Sequence, residues 1–280
     1  MIHTSRQLKA LVRNRSAGNS AKAQTIIRNY IMERLLERIS LSKYKDRFIL
    51  KGGMLISALV GLENRATMDI DTTIKNLPLT VDDMADILAE VIKVKVEDGI
   101  TFSIKRVSEI MDEAEYQGVR ATLEAQLDTM RTPLKIDIST GDVITPREIQ
   151  FEYKLMFEDR AISIYTYNIE TVLAEKLETV VSRGTANTRM RDFYDLYILQ
   201  REKTVAIDFG KLRMALEATC QKRESLEVME RGAYILNQVC NDTDTRKLWE
   251  NYQKKFDYAA DCPWDVVMES IKTLYERIIK

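Results

Sequence analysis

The chain has 280 residues, enough for a sizeable core and, since single cores stop growing near about 250–300 residues, for two domains. Its charges nearly cancel at −1, no run of about 18 apolar residues occurs and the N-terminal stretch has no signal-peptide-like apolar segment, so no membrane span is expected and the protein reads as cytoplasmic. A single histidine, His3, argues against a Ser-His-Asp triad, a multi-histidine zinc site and histidine general-base catalysis; Cys220, Cys240 and Cys262, too far apart for a C-x-x-C motif, read as reduced packing residues.

From the N-terminus, residues 1–51 hold twelve Lys and Arg against Glu33, Glu37 and Asp46, whereas residues 52–160 hold twelve against twenty-one acids. The basic segment reads either as a docking face for an anionic partner or as a solvated basic helix. Residues 20–40 carry Ile26, Ile27, Tyr30, Ile31, Leu35 and Ile39 near helical spacing and predict an amphipathic helix. Arg28, Arg34 and Arg38 would lie away from Ile27, Ile31 and Leu35, placed to track an RNA backbone. The short strand "RFIL" leads into Gly52-Gly53, "MLISALVGL" predicts a helix stopped near Gly61, and "TMDIDTTI" alternates as a half-buried strand does. Thr80 with Asp83 marks a capped helix start. Strands are expected at 100–107, 118–127 and 134–139 and, after a break at "TGDVITP", at 161–167. From Glu170 onward the spacing is helical, at 170–183, 188–201, 210–221, 226–240, 246–256 and 264–279. The expectation is an α+β chain, a mixed sheet with helices followed by an all-helical region, divided near residue 165.

On a strand Asp69 and Asp71 would share a face opposite Met68 and Ile70. Adjacent carboxylates repel unless a cation lies between them, and Mg²⁺ takes one or two carboxylates plus substrate phosphates. A lone D-x-D is a weak signal, and a second one, Asp242 and Asp244, sits in polar "NDTDTR", read as an inter-helix loop. The first is preceded by Gly52-Gly53 opening a helix, where free N–H groups and absent side chains suit a phosphate, though a plain tight turn fits as well. Asp137, on the polar face of "LKIDIS" with Lys135 and Ser139, is a third candidate ligand or a solvated strand acid. Three such carboxylates are what two ions need to clamp an attacking and a leaving oxygen. Further on, Lys176, Thr179 and Arg183 share a helix face as a cationic stripe, and Asp192 and Asp195 share another, with Arg191 four residues before Asp195. A salt-bridge ladder is the other reading of these pairs.

In this order "RFILKGG", Arg65-x-Thr67-x-Asp69-x-Asp71, "LKIDISTGDVITP", "AEKLETVVSRG" and "RMRDFYDLYIL" resemble the AbiEii/AbiGii toxin family of the DNA polymerase β superfamily, found in abortive-infection and toxin–antitoxin systems; the match runs from about residue 25 to about residue 200. The resemblance implies a DNA polymerase β-like nucleotidyltransferase core over 1–165, including the basic N-terminal helix. It implies a helical C-terminal domain over 166–280 that contributes Lys176, Arg183 and Asp192 to the site. It also implies Mg²⁺, as two ions held by Asp69, Asp71 and Asp137, a nucleoside triphosphate held by Gly52, Gly53, Lys176 and Arg183, and a cognate antitoxin. The expected reaction, part of antiviral defence, is transfer of a nucleoside monophosphate to an acceptor hydroxyl, at the 3′ end of tRNA. Nucleotidylation of a protein or small molecule, and a nucleotide-binding module without transfer, are the alternatives.

Overall fold

The computed structural model describes residues 2–110, 118–202 and 206–279. The chain forms two compact units, Met1–Ala58 with Ala66–Asp142 and Ile149–Thr166, and Leu59–Arg65 with Val143–Glu148 and Tyr167–Lys280.

In the first unit, helix α1 (Ser5–Ser16) opens on a capping box, with Thr4 accepting from the Gln7 N–H and the Gln7 side chain accepting from the Thr4 N–H. It escapes the periodicity reading because only Leu8 and Val12 give it an apolar stripe. Helix α2 (Ser20–Leu41) is capped by Asn19. Strand β1 (Phe48–Lys51) runs directly into α3 (Gly52–Val60), and β2 (Ile70–Ile74) precedes α4 (Val81–Val91), whose Thr80 cap accepts from the Asp83 N–H as the sequence suggests. Strands β3 (Ile100–Glu109), β4 (Gly118–Leu127), β5 (Met130–Thr140), β6 (Ile149–Lys154) and β7 (Ala161–Thr166) complete one seven-stranded sheet in the order β3-β4-β5-β2-β1-β7-β6. Strand β6 is an addition to the sequence reading: an edge strand with only Tyr153 buried shows no alternation to detect. The sheet is mixed, since β2 runs parallel to β5 and β1 parallel to β7 while the other pairs are antiparallel. Val119, Ala121, Leu123, Ala125 and Leu127 are buried at every second position of β4, and α2 and α4 pack on the sheet.

The basic N-terminal helix departs from expectation. Every residue of α2 from Asn29 to Ile39 is buried. Arg38 forks onto Asp98 at 2.8 and 2.9 Å and donates to the Ile100 carbonyl, while Arg34 meets Glu37 and Glu158 at 2.9 and 3.0 Å. Arg34 and Arg38 therefore do not present an RNA-tracking face; acids from elsewhere in the chain neutralise them in the interior, a pairing that a count of charges along the sequence does not see. Glu33 accepts from the Met156 N–H at 3.0 Å in the same layer, and burial pushes its carboxyl up to about 7.

The second unit is helical: α5 (Ile169–Arg183), α6 (Met190–Arg201), α7 (Phe209–Lys222), α8 (Leu226–Glu230), α9 (Gly232–Asn241), α10 (Thr243–Lys255) and α11 (Trp264–Ile279). The helix expected at 226–240 is broken at Arg231 into α8 and α9. Asp242 is the N-cap of α10 and accepts from the Thr245 N–H at 2.7 Å, so the second D-x-D is a helix start. Leu173, Leu177, Phe193, Leu196, Trp249, Trp264 and Ile271 lie in the core of this unit. Among the described residues no helix is long and apolar enough to cross a membrane.

Candidate active site

Two clusters of functional side chains emerge, one in each unit. In the first, the parallel register of β2 and β5 sets Asp71 directly opposite Asp137, β1 sets Lys51 opposite Asp71, and β4 sets Arg120 opposite Asp137. Residues in direct register share a face, so a charged row Lys51–Asp71–Asp137–Arg120 crosses four adjacent strands. Arg120 donates from Nε and Nη2 to the two Asp137 oxygens, both at 2.7 Å. The Lys51 ammonium donates to Ser139 Oγ at 2.8 Å and meets the Asp142 carboxylate.

The glycine turn explains how Asp71 is seated. Gly52 has φ +64°, and a Cβ there would stand 2.1 Å from Asp71 Oδ2. The Gly53 N–H, at the start of α3, donates to that oxygen at 3.3 Å. The glycine pair thus first makes room for a carboxylate and ties it to a helix N-terminus, rather than standing open for phosphate alone. Burial pushes the Asp71 carboxyl above its usual range, and the facing Asp137 carboxylate adds to this.

Asp69 differs from the sequence expectation. Strand β2 begins at Ile70, Met68 is exposed, and Asp69 lies half-buried just before the ladder, its carbonyl accepting from Thr67 Oγ1 at 3.3 Å. The donors nevertheless suit a hard divalent ion: two carboxylates in register on adjacent strands, one of them cradled by a glycine. Among the described residues no three acids, histidines or cysteines converge into a closed ligand set. Asp71 and Asp137 are brought together, Asp137 in the grip of Arg120, with Asp69 two residues upstream of Asp71.

In the second unit, α5 and α6 bring Lys176 Nζ to 2.7 Å from Asp192 and 2.8 Å from Asp195. Arg65 Nε donates to Asp195 at 2.6 Å and Nη2 to its other oxygen at 3.2 Å, and Arg189 stands 3.1 Å from Asp192. Arg65, Asp192 and Asp195 are buried. Burial alone would push the Asp195 carboxyl up, but Arg65 and Lys176 together hold it below the usual range. Lys176, which burial would push down, is held above its usual range by the two aspartates. The pairs are therefore a buried network and not a surface ladder, and the partner of Asp195 is Arg65 and not Arg191. Thr179 is turned inward, donating to the Glu175 carbonyl and accepting from Arg223, while Arg183 is exposed at the end of α5.

Arg120 and the role of Arg65 were missed in the sequence. A signal for Arg120 existed: counting back along the two-residue hairpin from Leu127 and Met130 puts it opposite Asp137. Arg65 could be found only through its contacts, because Asp195 lies 130 residues away.

A mixed sheet carrying in-register carboxylates beside a glycine-opened helix, followed by a helical region, has the nucleotidyltransferase fold. It is similar to that of a candidate nucleotidyltransferase from H. pylori, 13% identical, with 91% of this chain and 94% of that chain covered at a TM-score of 0.50. The JHP933 protein from Helicobacter pylori aligns at 0.48, with 15% identity over 91% of each chain. No curated protein matches the sequence. Residues 34–274 match the nucleotidyl transferase AbiEii toxin family, of type IV toxin–antitoxin systems, and the chain belongs to that family of nucleotidyltransferases.

Proposed function

We propose that the protein transfers a nucleoside monophosphate from a triphosphate to an acceptor hydroxyl at the 3′ end of RNA, with tRNA as the natural acceptor, in the cytoplasm. The acceptor oxygen forms a bond to the α-phosphorus, the bond from that phosphorus to the β-phosphate bridging oxygen breaks, and pyrophosphate leaves. The observation that carries this reading is the Asp71–Asp137 pair, in register on adjacent strands beside the Gly52 turn. Asp71 and Asp137, with Asp69, would hold Mg²⁺, as two ions when the site is fully loaded. Such ions neutralise charge on the phosphates and activate the hydroxyl. The Asp137 carboxylate is the acceptor for the hydroxyl proton, and Arg120 aims it. Gly52 and Gly53 let phosphate approach the start of α3. Arg183 and Lys176 are the cations proposed for triphosphate oxygens, and Asp192 orients the Lys176 ammonium. A cognate antitoxin is the partner that a type IV system requires.

The test is incubation of the purified protein with four labelled nucleoside triphosphates, Mg²⁺ and total RNA, beside an Asp71→Asn control. Label appearing on RNA with wild type and not with the variant is the expected result. Label on protein, or none despite triphosphate binding, would replace RNA transfer by protein nucleotidylation or by nucleotide binding alone.

A further inference from the structure

At the end of α10 the sequence "KKFDY" places two aromatic rings at the edge of a rigid aromatic cluster. Phe256 and Tyr258 are half-buried, with ring centroids 5.3 Å apart and planes 25° from parallel. Behind them stand Tyr194 and Tyr252, both buried, with centroids 4.8 Å from Tyr258 and 4.7 Å from Phe256. The Tyr252 and Tyr258 hydroxyls are hydrogen-bonded at 2.9 Å, and Tyr194 donates to the Asn64 carbonyl at 2.6 Å. The rings are held in place before any ligand arrives.

Some cations of this unit are paired with acids and others are laid against rings, as Arg277 is at Phe209 and Arg201 at Tyr197. Arg246 is paired with Asp265, Lys247 with Asp244 and Arg223 with Glu178. Arg191 and Lys255 instead approach the Phe256 ring, at 5.9 and 5.5 Å from its centroid, and Lys254 is exposed beside them. The stretch 254–258 holds Lys254 and Lys255 against Asp257, and Arg191 adds a third cation at the Phe256 ring. Pre-ordered, partly exposed aromatic rings with Arg191 and Lys255 beside them suit a flat ring attached to a phosphate chain. Stacking on it is sequence-tolerant, and the cations take the backbone.

We propose that Phe256 and Tyr258, with Arg191 and Lys255, form a stacking platform for an unpaired base of single-stranded RNA. The platform rests on the RNA-acceptor reading above and supplies the RNA contact that Arg34 and Arg38, being buried, do not.

The experiment measures binding of a fluorescein-labelled single-stranded RNA of about ten nucleotides, without triphosphate, over a range of salt. Phe256→Leu keeps apolar bulk and removes the π face; its affinity is expected to fall about tenfold, with a melting curve of the same sample showing that the variant is folded at the assay temperature. Arg191→Gln combined with Lys255→Gln is expected to flatten the log–log salt slope by about 1.4, at about 0.7 per cation, while Arg246→Gln leaves it unchanged. Nucleotide transfer to RNA is followed in the same samples. If wild type binds and labels RNA while both platform variants keep its affinity and slope, the platform is wrong and the function stands. If wild type binds no RNA and labels none, the acceptor reading fails and the platform with it.

Discussion

Replacing Gly52 by alanine tests how Asp71 is seated. The added Cβ would stand 2.1 Å from Asp71 Oδ2 and 2.8 Å from its Cβ. Carbon and oxygen approach ordinarily to about 3.3 Å, so the carboxylate must retreat by about 1 Å. The residue must also keep φ +64°, which costs an L side chain roughly 1–2 kcal/mol. Displacing a reacting or metal-holding group by about 1 Å is worth about a hundredfold in rate, so Gly52→Ala should lose about that factor in transfer and bind Mn²⁺ measurably more weakly, with only a modest fall in unfolding free energy. The assays are transfer of labelled nucleotide, Mn²⁺ titration and urea unfolding of the same preparation. Adding Asp71→Ala removes the carboxylate contacts and leaves only the one at 2.8 Å to Cβ, so the double variant should regain part of the stability and remain inactive, a non-additivity that a general defect would not produce. Wild-type Mn²⁺ affinity and transfer in Gly52→Ala would refute the proposed seating.

Arg120→Gln should tighten Mn²⁺ binding several-fold, because it removes the cation that now occupies both oxygens of Asp137; an unchanged affinity would mean that the arginine does not compete with the metal. Arg65→Ala should cost about 3–5 kcal/mol in chemical unfolding by leaving Asp195 buried with one cation fewer, and a loss below about 1 kcal/mol would contradict the buried pairing. Lys176→Met should lower stability as well as triphosphate use, since Asp192 and Asp195 both depend on it; a variant with wild-type stability would show that the network is dispensable. Glu33 gives a pH signature. Its carboxyl is raised to about 7 in the folded state, so the stability it confers is complete below the ordinary glutamate range, near about 4, and is lost as pH rises through about 7. Glu33→Gln should flatten that decline by on the order of 2–3 kcal/mol, measured by unfolding at pH 5 to 8, and parallel curves for the two proteins would place the proton elsewhere.

What the sequence made legible follows from where its signals are local. Five apolar residues alternating without a gap mark β4 to its observed limits, and helical spacing places α5 and α6 to within two residues. Asp71 and Asp137 were recognisable as polar positions on apolar strands. Their facing one another, and Arg120 facing Asp137, depends on which strands pair, and only the β4–β5 hairpin could be counted from the sequence. α2 failed for the opposite reason: its pattern is that of an amphipathic helix, yet Asp98 and Glu158, remote in the chain, let its polar side enter the core. Trp249, Tyr252 and Phe256 do follow helical spacing along α10, but their meeting with Tyr194, Tyr258 and Trp264 depends on how the helices pack, which no local pattern shows.

The row Lys51–Asp71–Asp137–Arg120 draws one residue from each of four strands, and this gives the site an unusual kind of fragility. A single inserted or deleted residue ahead of Asp71 in β2 or ahead of Asp137 in β5 would turn the later side chains of that strand to the other face and separate the two aspartates, while leaving composition nearly untouched. Substitutions on the outer positions of these strands can be absorbed one at a time; changes of length cannot. Variation in length should therefore collect in the connections, such as residues 75–80 between β2 and α4 and the break at 141–148, and not inside β2 or β5, where it would cost the buried face as well as the chemistry.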